Sequence, residues 1–318
     1  LEVTDLATNR EAAAITRTIV LDNTVPTTSF NSFVETAGNS VQHAVGSTMY
    51  YNPAGTGSFK VLINASDAGS GVNRVTFPAP GTGWTPASAS DDTTAPSPYE
   101  YDYTFTAPTG ASPGLMTTTA TDNAAKSANA SFTLTRDNTA PAGGSISYNT
   151  TITNVTSATI TLNPGSDAQA GLNTQTLERA VATYANGSCG TYSTFSSLAT
   201  NPGASYIDST LADGSCYMYR FTVTDNVDNS VTYTSASEVK VDTSAPTGTI
   251  SASPAGPVSG TQTITGTSTD AVSGVQKVDV KYAKGATTGD ICLAPASPTA
   301  WSCSWDTTSL PDGLYTIT

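Results

Sequence analysis

Asp22-Asn23-Thr24-Val25-Pro26, Asp137-Asn138-Thr139-Ala140-Pro141 and Asp242-Thr243-Ser244-Ala245-Pro246 are three copies of one short phrase, 115 and 105 residues apart. A phrase returning about every hundred residues marks a tandem array, and a hundred residues is the length of one small β-sandwich. Two further phrases keep the same register. Ser66-Asp67-Ala68-Gly69-Ser70-Gly71-Val72 returns as Ser166-Asp167-Ala168-Gln169-Ala170-Gly171-Leu172 and as Thr269-Asp270-Ala271-Val272-Ser273-Gly274-Val275. The third phrase is Val3-Thr4-Asp5, Ala120-Thr121-Asp122-Asn123 and Val223-Thr224-Asp225-Asn226. Their fixed order predicts repeats over 25–140 and 141–245. It also predicts the last strands of another repeat over 1–24 and the first part of one over 246–318.

Within each period the apolar residues alternate with a step of two. Phe59, Val61, Ile63 and Ala65 fall on one face of a strand, and Ile160 with Leu162, then Ile264, take that place in later copies. Tyr217, Tyr219, Phe221 and Val223 form one face of a late strand; Phe132 with Leu134, and Val239 with Val241, do so for last strands. Turns such as Pro78-Ala79-Pro80-Gly81-Thr82-Gly83 separate them. Leu172–Tyr184 has some helical character, but its threonine and β-branched content favours strand. The expected fold class is all-β: a tandem array of β-sandwiches joined by short Asp-x-Thr/Ser-x-Pro linkers, which the resemblance given below implies to be immunoglobulin-like.

Composition narrows the function. Acids outnumber bases 25 to 12 for a net charge of −13, which excludes the basic face that nucleic acid requires and disfavours anionic lipid. No apolar run is long enough to span a bilayer, so no membrane insertion is expected in this segment. Cys189 and Cys216 share one period, and Cys292 and Cys303 the next, without Cys-x-x-Cys spacing. Two disulfides within repeats are expected, which implies an exported protein.

The combined linker, Ser/Thr-Asp loop and Thr-Asp-Asn loop resemble those of bacterial immunoglobulin-like repeats, and Cys216–Asp225 is similar to the penultimate strand of fibronectin type III modules. The resemblance implies a non-catalytic stalk or adhesive segment of an extracellular or cell-surface protein. Its partners would be neighbouring repeats of the same chain and a surface protein or glycan. The alternative is a spacer, or an accessory binding module, in a secreted multidomain hydrolase.

An odd number of strands places the linker, the loop after the second strand and the loop before the last strand at one end of a sandwich. Asp22, Asp67 and Asp122 should therefore converge, as should Asp137, Asp167 and Asp225. Asp242 and Asp270 should pair, with a further partner expected past residue 318. Two readings stand: calcium, a hard cation taking oxygen ligands, with Asn123, Asn226 and Asp228 available to complete the shell, or turn formation by Asp and Asn alone. Asp225–Asn229 is not an EF-hand loop, since Ser230 and Ala236 stand where Gly and Glu are required. Trp84, Trp301 and Trp305 are either core residues or a sugar-stacking platform. Five Asn-x-Ser/Thr sequons, at Asn64, Asn129, Asn149, Asn154 and Asn186, are what so Ser- and Thr-rich a chain gives by accident. No cofactor other than calcium is expected. His43 is the single histidine and has no acid nearby in sequence, so catalysis is not expected.

Overall fold

A computed structural model describes residues 1–149, 151–294 and 298–318, and among these the chain is all-β without helix. Residues group into two compact units. The first holds Leu1–Ala142 with the loops Ser166–Asn173 and Thr224–Val231; the second holds the remainder.

The first unit contains β1 (Thr27–Ala37), β2 (Gln42–Val45), β3 (Thr48–Tyr51), β4 (Gly57–Ser66), β5 (Val72–Phe77), β6 (Trp84–Thr85), β7 (Ser90–Asp92), β8 (Tyr99–Phe105), β9 (Gly114–Asp122) and β10 (Ser127–Arg136). They form two sheets, ordered β1-β4-β8-β6 and β2-β3-β10-β9-β5-β7. Strict alternation in β4 buries Phe59, Val61 and Ile63 completely and turns Lys60 and Asn64 outward. The sheets meet through aromatic rings: Phe132 of β10 packs edge-on against Phe33 of β1 at 5.8 Å and lies 5.8 Å from Tyr103 of β8. Each fully buried Phe contributes roughly 2 kcal/mol by leaving water.

A parallel pairing brings two residues distant in sequence side by side. β3 runs parallel to β10, with Tyr51 opposite Arg136, so Asn52 lies beside Asp137, whose amide donates to the Tyr51 carbonyl at 2.8 Å. At the other end of the sandwich β1 begins, β4 ends at Ser66 and β9 ends at Asp122. The three aspartates of the repeated phrases sit there.

The later strands are β11 (Ser145–Tyr148), β12 (Ile152–Thr153), β13 (Ala158–Asn163), β14 (Leu172–Ala185), β15 (Ser188–Cys189), β16 (Ser196–Thr200), β17 (Ser205–Asp208), β18 (Ser215–Asp225), β19 (Ser230–Thr234) and β20 (Val239–Val241). They give a sheet β11-β13-β17 and a larger one ordered β12-β20-β18-β14-β15, with β16 on β14 and β19 on β18. The segment with helical character is thus strand β14. β12 pairs with β20 in parallel, repeating the β3–β10 arrangement. Finally β21 (Thr247–Ala252), β22 (Thr261–Thr269), β23 (Asp279–Lys284), β24 (Thr287–Leu293), β25 (Ala300–Asp306) and β26 (Thr316–Ile317) make sheets β21-β22-β25 and β24-β23-β26. Ile264, Val280, Trp301, Cys303 and Trp305 form the core there. Trp84 is also buried, so all three tryptophans are core residues and no sugar platform forms. Disulfides join Cys189 to Cys216, Cα atoms 5.9 Å apart, and Cys292 to Cys303, 5.7 Å apart.

Candidate metal centre

Each repeated aspartate first builds its own turn. In the linkers, Asp22 Oδ1 accepts the Thr24 amide at 3.0 Å and hydroxyl at 2.6 Å, Asp137 Oδ1 accepts both groups of Thr139, and Asp242 Oδ1 accepts the Ser244 amide. In the next loop, Asp67 Oδ1 accepts the amides of Gly69 and Gly71, Asp167 Oδ1 those of Gln169 and Gly171, and Asp270 Oδ1 those of Val272 and Gly274. The glycine closing each loop has positive φ, 80° at Gly71 and 75° at Gly171, a conformation that penalises any Cβ. In the third loop, Asp122 Oδ1 accepts the amides of Ala124 and Lys126, and Asp225 Oδ1 those of Val227 and Asn229. Turn formation accounts for one oxygen of every aspartate.

The second oxygen of each linker aspartate reaches across to the neighbouring loop. Asp22 Oδ2 accepts the Ser70 amide at 2.8 Å, Asp137 Oδ2 that of Ala170 at 3.0 Å, and Asp242 Oδ2 that of Ser273 at 3.0 Å. This crossing draws the carboxylates together. Asp22, Asp67 and Asp122 each place an oxygen within 4.8 Å of the others, and so do Asp137, Asp167 and Asp225. Asp242 and Asp270 line a cleft of about 440 Å³ together with Asn154 and Lys277. Asn123 and Asn226 point their amide nitrogens at loop carbonyls, Ser70 and Gly71 in one case and Ala170, Gly171 and Leu172 in the other, so those groups brace the loops. Asp228 is exposed at a positive-φ turn position, outside the cluster.

Three like charges at this spacing repel. At 4.8 Å and an effective dielectric constant of about 20, each pair costs roughly 3 kcal/mol before hydrogen bonds offset it. Hydrogen bonds from Ser70 and Thr24 hold the Asp22 carboxyl below the usual carboxylate range. Burial pushes Asp225 up, with help from the Asp137 charge and against hydrogen bonds from Asn229 and Val227. Asp122, Asp137 and Asp225 are all buried, but Asp122 differs in its Oδ2, which is buried without a hydrogen-bond donor among the described residues. A buried carboxylate oxygen without a partner is costly and calls for a ligand.

Residues 239–318 match the sequence profile of the bacterial Ig domain. The strands build immunoglobulin-like β-sandwiches, and domains of the family that residues 239–318 match are generally non-catalytic. Among solved structures, domains A168–A170 of titin share 12 % identity over 64 % of this chain and 64 % of theirs, with a TM-score of 0.34. The Escherichia coli adhesin FdeC shares 15 % identity over 90 % of each chain, also at 0.34. Escherichia coli alpha-2-macroglobulin activated by porcine elastase shares 12 % identity over 90 % of this chain and 29 % of that one, at 0.26. The chain thus spans less than two thirds of the titin fragment and of the macroglobulin. No curated protein matches it.

Two features were silent in the sequence. Asp208, on β17, is 1 % exposed; its Oδ2 accepts Arg179 at 2.7 Å and the Tyr219 hydroxyl at 2.9 Å, while Oδ1 accepts the amide and hydroxyl of Thr210. Asn52, Gln169 and Asn229 join residues around Asp137 to the loops 166–173 and 224–231. None of these groups lies at a position shared by all copies of a phrase.

Proposed function

We propose that this segment is a structural or adhesive stretch of an exported or cell-surface bacterial protein, in which calcium bound between turn loops restrains the linkers. The observation that carries the calcium reading is Asp122 Oδ2, buried and unpartnered beside Asp22 and Asp67. Calcium takes six to eight oxygens in flexible geometry, which suits carboxylates whose Oδ1 atoms are already fixed by backbone amides. The ion would supply the positive charge that the cluster lacks and tie the linker at Asp22 to the two loops. Asp137, Asp167 and Asp225, and the pair Asp242 and Asp270, repeat the turns and the linker-to-loop bond but not the unpartnered oxygen.

Extracellular placement is supported by the two disulfides, which persist in oxidising compartments. Turn machinery copied at successive linkers suits a mechanical role, since each linker is then braced by the same kind of loop. Neighbouring repeats are the first partners, and a surface protein or glycan would be met by an exposed face.

Thermal unfolding of the 318-residue chain in millimolar calcium and in chelator, at matched ionic strength, tests the reading. Stabilisation by several degrees is expected, and Asp122→Asn should remove most of it. No shift in the unaltered chain would leave the aspartates as turn formers alone.

A further inference from the structure

The two triads share a backbone layout but differ in what faces their carboxylates. At the second, Asn229 Nδ2 donates to Asp225 Oδ2 at 2.8 Å and to the Asp137 carbonyl at 3.4 Å. Asn229 Oδ1 accepts Asn52 Nδ2 at 3.0 Å, and the same nitrogen reaches the Val227 carbonyl at 3.0 Å. Asn52 Oδ1 is held by the Ala54 amide, which fixes the orientation of this side chain. Gln169 adds a third amide: Nε2 donates to the Arg136 carbonyl at 2.9 Å, and Oε1 lies 3.1 Å from the Thr139 hydroxyl, whose one proton it shares with Asp137 Oδ1. The position occupied by Asp122 Oδ2 in the first triad is thus served, in the second, by an oxygen with a donor.

The first triad has none of these. Lys126 stands in the place of Asn229 and forms no ion pair with the triad among the described residues. Gly69 stands in the place of Gln169, and a Cβ there would come within 2.5–2.7 Å of the Asp22 carboxylate, so no amide-bearing side chain fits without displacing Asp22. The amide cap also recurs at the head of the chain, where Asn9 Nδ2 donates to Asp5 Oδ2 at 2.9 Å. Of the three turns built on Asp5, Asp122 and Asp225, the one at Asp122 alone lacks it.

We propose that the two triads are held differently: a divalent cation closes Asp22, Asp67 and Asp122, whereas in the second Asn229, oriented by Asn52, caps Asp225 and Gln169 braces the linker, so that it holds without metal. This rests on the calcium reading for the first triad. An amide N–H₂ aimed at Asp225 Oδ2 presents its positive end where a cation would have to sit. The array then contains one calcium-responsive loop cluster and one permanent clasp.

Calorimetric titration of the full, chelator-stripped chain with calcium chloride decides this. The unaltered chain should show one tight event, weakened at least tenfold by Asp122→Asn and changed less than twofold by Asp167→Asn. Asn229→Ala frees Asp225 Oδ2 and should add a second event. Asn52→Ala takes the donor from Asn229 Oδ1 and should add a weaker second event, which keeps the test valid should Asn229→Ala not fold; no second event in either variant would overturn the amide clasp. A tight event that survives Asp122→Asn but disappears in Asp167→Asn would overturn the assignment while leaving calcium binding intact. No binding by the unaltered chain would overturn the calcium reading itself.

Discussion

The sandwich of β1–β10 and the strands β11–β20 solve one stability problem in two ways. The first has no cysteine and packs Tyr51, Phe59, Phe77, Trp84, Tyr103, Phe105 and Phe132 into a continuous buried cluster. Among the described residues the second buries fewer aromatic rings, Tyr148, Tyr184, Tyr217, Tyr219 and Phe221. It adds the Cys189–Cys216 disulfide and a buried ion pair, Asp208–Arg179, bonded to Tyr219. An array in which each unit buries its own core lets neighbours differ in this way, because stability is set locally and only the turns must be copied. The difference teaches that the repeated phrases record how linkers and loops are braced, and the unrepeated residues record how each sandwich holds itself together.

The sharpest way to break the comparison is to open the aromatic core. Phe105→Ala removes a fully buried ring that packs on Trp84 and Tyr51 and should cost about 4 kcal/mol. Segment-resolved hydrogen exchange should show the loss in β1–β10 and not in β13–β17; an equal loss in both would contradict local stability. Reducing the disulfides should cost about 3 kcal/mol around the Cys189–Cys216 loop, which spans 27 residues, and leave β1–β10 unaffected. Arg179→Ala should cost a similar amount, about 3 kcal/mol, by leaving Asp208 buried without its cation. A cost below 1 kcal/mol in chemical unfolding would mean that Thr210 and Tyr219 suffice.

Acid gives a smaller effect whose sign is fixed. Burial opposes the charge on Asp208, but hydrogen bonds from Thr210, Arg179 and Tyr219 outweigh it and hold the carboxyl below its ordinary value. A carboxyl lowered in the folded state contributes stability above the unfolded value, about pH 4, and loses it as pH falls through the lower folded value. Melting temperature should therefore drop below about pH 4, and Asp208→Asn should flatten that slope. An unchanged slope would remove Asp208 from the account. The smallest expected change is at Gly69→Ala: little loss of stability in chelator, but loss of the calcium-induced shift, because the new Cβ displaces Asp22.

Much of the architecture was legible in the sequence because it rests on periodicity. Alternation in Phe59–Ala65 and in Tyr217–Val223 names both the strands and their buried faces, and the cysteines pair within their periods. Convergence of Asp22, Asp67 and Asp122 comes from strand parity, since all three flank strand ends on one side of the sandwich. What remained hidden depends on side-chain reach. Asp208 reads as a turn residue before Ser209 and Thr210, and its ion-pair partner lies 29 residues upstream on β14. Asn52 meets Asn229 across 177 residues of sequence, and no repeated phrase contains Asn52. Gln169 and Asn229 occupy positions where the copies disagree, Gly69 and Lys126 standing there in the first. Those disagreements are where the two triads part.

Segment-resolved hydrogen exchange of the full chain, in millimolar calcium and in chelator, tests the central claim most directly. The account predicts that calcium slows exchange in residues 67–71 and 122–126, while residues 167–171 and 225–229 are equally protected in both conditions. Equal responses in both pairs of loops, or none in either, would contradict it.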